Sequence, residues 1–97
     1  MKIIWSPLAS QKLDQFAEFI AQDNLDAALS FVDEIERKAL SLKAHPFKGR
    51  MIRVLNDEKK RELVIMGNYL LVYEIQPDAI EILTIRHTKQ NPKLSDK

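Results

Sequence analysis

A small group of basic side chains in the second half of the chain provides the clearest candidates for chemistry. Arg61 opens one β-prone run, whereas Arg86, His87 and Lys89 close the last such run. Cations at strand ends can bind phosphate oxygens, and a histidine there can act as an acid or a base near neutral pH. The commoner role of such side chains is simply to be solvated. If the runs form neighbouring strands, Arg61 and Arg86 lie at opposite ends of the sheet, unless strand tilt and the loop before Arg61 bring them closer.

Motifs for other kinds of site are missing. Two glycines, Gly49 and Gly67, cannot form a phosphate-binding loop or a dinucleotide fingerprint. His45 and His87 lack carboxylate or cysteine neighbours at the spacing of a metal site. There is no cysteine for a disulfide or a thiolate ligand, and no serine has the context of a nucleophile elbow. We therefore expect neither a cofactor nor a bound metal.

The net charge of +1 conceals two halves of opposite sign. Residues 1–47 carry five bases and seven acids, a net charge of −2, whereas residues 48–97 carry ten bases and seven acids, a net charge of +3. The basic half could attract a nucleic acid or an acidic protein. We do not expect the N-terminal residues to form a signal peptide, and no apolar run approaches the roughly 20 residues that span a bilayer. We expect a cytoplasmic protein without a membrane partner.

The first half of the chain reads as a strand followed by two helices. Lys2–Trp5 is β-prone, and Ser6 followed by proline is typical of an N-cap and first helical residue. A second helix is predicted to begin at a cap formed by Asp23 or Asn24 and to end at His45–Pro46, since the residue before proline disfavours helical dihedrals. Apolar residues recur at helical spacing through both helices. They are Ala9, Leu13, Phe16, Ala17 and Ile20, then Ala28, Phe31, Val32, Ile35, Ala39 and Leu42.

The second half of the chain predicts four strands. Gly67 and Asn68 separate two apolar runs, and we expect a tight hairpin turn there because both residues tolerate positive φ. Pro77 belongs to the next turn because it has no N–H to donate to a ladder. The run between the two turns is nearly all apolar, which is typical of a strand covered on both faces. The predicted strands are Met51–Leu55, Glu62–Met66, Tyr69–Ile75 and Ala79–Ile85.

The order of these elements predicts an α+β fold. A strand and a helical hairpin are followed by several strands, so the hairpin is expected to pack on one face of an antiparallel-dominated sheet. The first strand must pair within that sheet, but periodicity does not identify its neighbour. The length suits one domain, which we place at residues 1–90, and residues 91–97 read as a polar C-terminal tail.

A series of short motifs runs along the chain in a characteristic order. Early in the chain lie Ile4-Trp5-Ser6-Pro7, His45-Pro46 and Gly49-Arg50. The strongest motifs are Arg61-Glu62-Leu63-Val64, Gly67-Asn68-Tyr69, Val72-Tyr73, and Ile82-Leu83-Thr84-Ile85-Arg86-His87 with Gln90. This series, which covers nearly the whole chain, resembles the ParE/RelE superfamily of toxins from type II toxin–antitoxin systems, most closely its ParE-like branch. The resemblance implies a compact toxin and a cognate antitoxin, a protein whose C-terminal segment wraps the toxin as helix or strand.

The resemblance leaves two classes of target. ParE-like members inhibit DNA gyrase without being nucleases, whereas RelE-like members cut messenger RNA in the ribosome. RelE-type sites commonly place an arginine just before the Leu-Val-Tyr of the central strand, and this sequence has Leu70 there. The terminal tyrosine of several nuclease members is also missing, although His87 sits where some members have a histidine. The resemblance therefore favours a gyrase inhibitor that is not an enzyme.

The candidate site residues differ between these alternatives. In a ParE-like toxin, Arg50, Arg61, Arg86 and Lys89 would contribute to binding the target or the antitoxin. In a ribosome-dependent mRNA interferase, Arg61 and Arg86 would bind phosphate and His87 would act as acid or base. A third alternative is an inactive homologue that is retained as a partner-binding module.

Overall fold

A computed structural model describes residues 1–89, and the predicted tail at 91–97 lies outside these described residues. Two helices pack on one face of a five-stranded sheet, so the predicted α+β arrangement is confirmed. The strands are β1 (Lys2–Trp5), β2 (Arg50–Met51), β3 (Lys60–Ile65), β4 (Tyr69–Ile75) and β5 (Ala79–His87). The helices are α1 (Pro7–Ala21) and α2 (Leu25–Ser41), and a short 3₁₀ turn covers Arg53–Leu55.

Both helices begin at side-chain caps that the sequence encodes locally. The Ser6 hydroxyl accepts a hydrogen bond from the Ala9 N–H at 3.0 Å, and Pro7 occupies the first helical position. Asn24, and not Asp23, caps α2, where its Oδ1 accepts from the Ala27 N–H at 3.0 Å. Helix α2 ends at Ser41, several residues before the predicted end at His45–Pro46. The intervening residues form turns, in which the His45 N–H donates to the Ser41 carbonyl at 3.2 Å.

The sheet order is β1-β5-β4-β3-β2, with one parallel pair. Strands β2 to β5 pair antiparallel as consecutive neighbours, whereas β1 runs parallel to β5 along Lys2–Trp5. The Ser6 hydroxyl extends this contact by donating to the Leu83 carbonyl at 2.8 Å. The sheet is therefore antiparallel except for one parallel strand at its edge.

The prediction of a strand over Met51–Leu55 was wrong. Pairing with β3 covers only Arg50–Met51, and the chain then turns through Arg53–Leu55. Asn56 has φ = 49°, in the left-handed region that asparagine tolerates well, and its N–H donates to the Arg53 carbonyl at 3.1 Å. A local turn thus satisfies the backbone groups that a longer β2 would have offered to β3.

The hairpin between β3 and β4 differs from the prediction by one residue. Positive φ occurs at Met66 (57°) and Gly67 (77°), not at Asn68. The pairing of Ile65 with Tyr69 leaves three residues in the loop, and Met66 adopts a positive φ although Asn68 is the residue that tolerates it better. The Asn68 carbonyl instead accepts from the Thr88 N–H at 2.9 Å.

The hydrophobic core lies between the hairpin and one face of the sheet. Phe31, Ile35 and Leu42 of the predicted stripes are fully buried there, while Phe16 and Ile20 pack at its margin. Leu70 and Val72 are also buried, but they lie outside this core because they point to the opposite face of β4. We call the two faces of the sheet the helix-covered face and the open face. None of the helices in the described part of the chain is long and apolar enough to cross a membrane.

Candidate functional site

The strand register separates the candidate side chains into different regions of the sheet. Arg61 pairs with Tyr73, whereas Arg86 pairs with Leu70, three positions away along β4. At roughly 3.3 Å per residue, this offset places their backbones about 10 Å apart along the strand direction, with β4 between them. The predicted placement of these two arginines at different ends of the sheet is therefore confirmed.

The same register places Arg61 and Arg86 on opposite faces. Directly paired residues share a face, and Tyr69 lies on the helix-covered face, where its ring contacts Phe16 and Phe31. Arg61, paired with Tyr73, shares this helix-covered face, whereas Arg86, paired with Leu70, lies on the open face. Arg61 and Arg86 thus do not converge on one substrate atom.

Arg61 holds the loop that follows α2. Its Nη1 donates to the Gly49 carbonyl at 2.8 Å, and its Nε donates to the Glu58 carbonyl at 2.7 Å. Its guanidinium carbon also lies 4.8 Å from the centre of the Phe47 ring, a cation–π contact. Two of its donor groups are therefore engaged within the fold, which leaves one nitrogen, Nη2, for an outside ligand.

The Tyr73 hydroxyl holds the same loop from inside the core. It donates to the Pro46 carbonyl at 2.7 Å and accepts from the Gly49 N–H at 2.9 Å. Burial raises the pKa of Tyr73 above its ordinary value of 10.0, which the Gly49 hydrogen bond and the charge of Arg61 partly oppose. Gly49 is required there, because an added Cβ would lie 2.7 Å from both the Glu62 carbonyl oxygen and the Tyr73 hydroxyl. We call this set of contacts among Pro46, Phe47, Gly49, Arg61 and Tyr73 the loop clasp.

Arg50 lies on the short strand β2 and is largely exposed. Its Nε donates to Glu62 Oε2 at 2.8 Å, an ion pair between neighbouring strands. Glu62 pairs with Val72, so this ion pair lies on the open face. Arg50 is accessible to a partner, but its Nε already donates to the Glu62 carboxylate.

Arg86, on β5, has a guanidinium with one buried donor atom. The Nε atom is buried and has no hydrogen bond within the described residues. Its strand neighbour is Leu70, and the next residue across the sheet is Val64, which is 44% exposed. A cation beside exposed apolar surface is suited to a carboxylate flanked by apolar groups.

His87 and Lys89 lie at the end of β5, beyond the last residue of β1. The His87 ring packs edge-on against Tyr69 on the helix-covered face, with 5.1 Å between ring centres. Its Nδ1 accepts from the Lys89 N–H at 3.1 Å, so the neutral ring carries its proton on Nε2. His87 and Arg86 are sequence neighbours and therefore point to opposite faces, while the Lys89 side chain is exposed.

The sequence interpretation selected Arg61 but missed the loop clasp. Tyr73 was interpreted as part of an apolar strand, both Tyr73 and Gly49 belonged to the family motifs, and neither was selected as a site residue. The available signal was a buried tyrosine, whose hydroxyl needs a partner, in a central strand. Within residues 1–89 no group of three or more His, Cys, Asp or Glu side chains could hold a metal ion.

Comparison with known proteins identifies the family. The family described as "ParE toxin of type II toxin-antitoxin system, parDE" matches residues 3–92. The chain is 34% identical over 90 residues to "Putative toxin Y4kP" of Sinorhizobium fredii, covering 92% of this chain and 90% of that protein. Its fold is similar to a chain of the structure titled "Chromosomal ParDE TA system from P. aeruginosa", with a TM-score of 0.75, 19% identity, and coverage of 92% and 97% of the two chains. The chain belongs to the ParE family of toxins of type II toxin–antitoxin systems.

Proposed function

We propose that this protein is a growth-inhibiting toxin that acts in the cytoplasm by binding DNA gyrase, without catalysing a reaction. The observation that carries the proposal is the separation of the three side chains that a nuclease would need. Arg61 donates to backbone carbonyls on the helix-covered face, and Arg86 lies on the open face. His87 faces away from Arg86, against Tyr69.

The chemistry of RNA cleavage supports the same choice. A phosphoryl transition state needs positive charge and a proton-transfer group aimed at one phosphate. On the open face, Arg86 lies beside Leu70. Leu70 occupies the position at which RelE-type enzymes commonly have a cation. An apolar residue there cannot stabilise developing negative charge.

Two parallel assays test the proposed target. Purified toxin is added to gyrase during plasmid supercoiling, and to ribosomes translating a defined message. We expect supercoiling to be inhibited and the message to stay intact. Cleaved message with unaffected gyrase would overturn the proposal, and His87→Gln would then be the first variant to assay.

A growth experiment separates this function from that of an inactive homologue. Induced expression of the toxin alone should arrest growth, and His87→Gln should arrest it equally if no proton transfer is involved. Continued growth with full-length, folded protein present would favour a partner-binding module.

We also propose that a cognate antitoxin neutralises the toxin through Arg86 and Lys89 at the end of β5, which form no ion pair within residues 1–89. The Pseudomonas structure is titled as a ParDE system, and Arg86 and Lys89 offer charge to an acidic segment. Co-expression of the neighbouring reading frame should relieve growth arrest. Arg86→Ala should weaken that relief, whereas Lys2→Ala, which removes a cation beside the start of β5, should not.

A further inference from the structure

Charge is divided along the chain more sharply than the net value suggests. Residues 13–36 contain seven acids and no base, and residues 37–56 contain six bases and no acid. Helix α2 joins these blocks, because its first turn carries Asp26 and its last turn Lys38. Its 17 residues span about 25 Å, so Asp23 and Asp26 lie far from Lys43 and Lys48, while Asp33, Glu34 and Glu36 lie from the midpoint of the helix onward.

The acidic end is the turn between the two helices. A groove of about 640 Å³ opens there, lined by Phe19, Ile20, Gln22, Asp23, Asn24 and Ala27. Phe19 is 73% exposed, an unusual state for a phenylalanine. The carboxylates of Asp14, Glu18, Asp23 and Asp26 have no ion-pair partner within residues 1–89. We call this surface the acidic tip.

The basic end is the loop that follows α2. A groove of about 560 Å³ lies there, lined by His45, Pro46, Phe47 and Lys48. Phe47 is 60% exposed, and Val54, a few residues further on, is 90% exposed. The side chains of Lys43, Lys48 and Arg53 have no ion-pair partner in the described part of the chain. We call this surface the basic loop.

We propose that copies of this chain associate head to tail, with the acidic tip of one copy docked on the basic loop of the next. Each surface combines an exposed phenylalanine, a groove and unpaired charge, and the charges are opposite. Contacts between two tips or between two basic loops would bring like charges together, which disfavours a dimer formed through either surface alone. The net charge of only +1 provides little overall repulsion against association.

The proposed contact is heterologous, because one copy uses its acidic tip and the next uses its basic loop, and each bound pair then keeps one free surface of each kind. Repetition of this contact gives rings or short open chains. The proposal concerns only surfaces of this chain and does not depend on the target of the toxin.

Sedimentation velocity of the purified full chain tests the proposal. In low salt, the weight-average sedimentation coefficient should rise with protein concentration. At about 1 M salt, where the Debye length falls to about 3 Å, this rise should be largely lost. A parent protein that stays monomeric at every concentration in low salt would overturn the proposal.

Charge reversal then identifies the two surfaces. Asp23→Lys alone and Lys48→Glu alone should each weaken association by about tenfold, whereas an equimolar mixture should recover it, since each variant keeps one native surface. Glu36→Lys and Lys2→Glu change the net charge equally at other exposed positions and should have little effect. Association that the mixture fails to restore would show a different contact and contradict the proposal.

Replacing an exposed apolar side chain by a polar one tests the groove independently of charge. Phe19→Ser should also weaken association by about tenfold, while Val64→Ser, on the open face, should not. Both side chains are exposed, so both variants should remain folded, which circular dichroism checks. Equal association of Phe19→Ser and the parent chain would exclude the acidic tip as the docking surface.

Discussion

The Tyr73 hydroxyl is the side-chain group on which the loop clasp depends. It is fully buried and joins the Pro46 carbonyl to the Gly49 N–H. Tyr73→Phe keeps the ring but leaves that carbonyl and that N–H without their partner. We expect the free energy of unfolding to fall by about 1–3 kcal/mol, measured by urea denaturation at neutral pH. Tyr69→Phe removes the hydroxyl of the other tyrosine and serves as the comparison. If both variants lose the same free energy of unfolding, the loop clasp does not contribute to stability.

The raised pKa of Tyr73 also predicts a loss of stability in alkali. Because burial raises the folded-state pKa above 10.0, the native state holds its proton more tightly than the unfolded chain. This contribution is complete below the unfolded pKa and is lost as pH rises toward the folded pKa. Burial raises the pKa of Tyr69 as well, so the parent protein should lose stability above about pH 10 through both hydroxyls.

Urea denaturation at neutral pH and at about pH 11 measures this loss for each tyrosine. Tyr73→Phe should lose less stability between the two pH values than the parent protein, since one of the two linked groups is gone. An undiminished alkaline loss in Tyr73→Phe would contradict the assignment to that hydroxyl.

Gly49 is constrained by space and not by backbone conformation. An added Cβ would lie 2.7 Å from the Glu62 carbonyl oxygen and from the Tyr73 hydroxyl, so the loop must move to accept it. Gly49→Ala should therefore destabilise the fold by about 1–3 kcal/mol, as measured by thermal or urea unfolding. Gly67→Ala is a useful comparison, since its Cβ meets nothing within 4 Å and only the positive φ of 77° opposes it. If Gly49→Ala leaves the free energy of unfolding unchanged, the loop adapts to the added Cβ without cost.

At the scale of the elements, the sequence predicted those that are encoded locally. The starts of α1 and α2 were predictable because Ser6 and Asn24 bond to N–H groups only three residues away. The pairing of β1 with β5 was not, because it joins parts of the chain separated by 77 residues, as in the Ser6–Leu83 hydrogen bond. Met51–Leu55 has β-prone composition, yet a competing local turn ends the strand after Met51.

The candidate site shows the same division between local and distant information. Arg61, Arg86 and His87 could be selected from residue type and position at the ends of β-prone runs. The hydrogen bonds of Arg61 could not be predicted, because its partners are backbone carbonyls of two loops whose positions depend on the tertiary fold. Residue type and position therefore selected these side chains as candidates, but did not show that Arg61 stabilises the fold.

The packing of the helical hairpin gives a prediction at the same scale. Phe31, on α2, is buried against α1 and β4, and its ring centre lies 4.7 Å from that of Tyr69. Phe31→Ala should lower the free energy of unfolding by about 3–5 kcal/mol, because it removes the ring and leaves a cavity. Phe19→Ala removes the same side chain from an exposed position and should cost far less. Similar losses in both variants would mean that α2 packs through a different face.

At the scale of the whole molecule, we expect stability and partner binding to depend on different arginines. Arg61 contributes two hydrogen bonds and a ring contact to the loop clasp, whereas the buried Nε of Arg86 has no hydrogen bond within residues 1–89. Arg61→Met should therefore destabilise the protein by about 1–3 kcal/mol, since the partly buried Gly49 carbonyl loses its donor. Arg86→Leu should leave stability unchanged or raise it, because an unsatisfied buried donor is replaced by an apolar group.

Binding of the co-expressed antitoxin completes this comparison across the molecule. Arg86→Leu removes charge that no described contact uses, so we expect weaker antitoxin binding in a fully stable toxin. Arg61→Met should show the reverse, with lower stability and nearly unchanged affinity below its unfolding temperature. Parallel denaturation and calorimetric titration of both variants measure the two quantities separately. If Arg86→Leu unfolds more easily while binding the antitoxin normally, Arg86 belongs to the structural framework and the partner surface lies elsewhere.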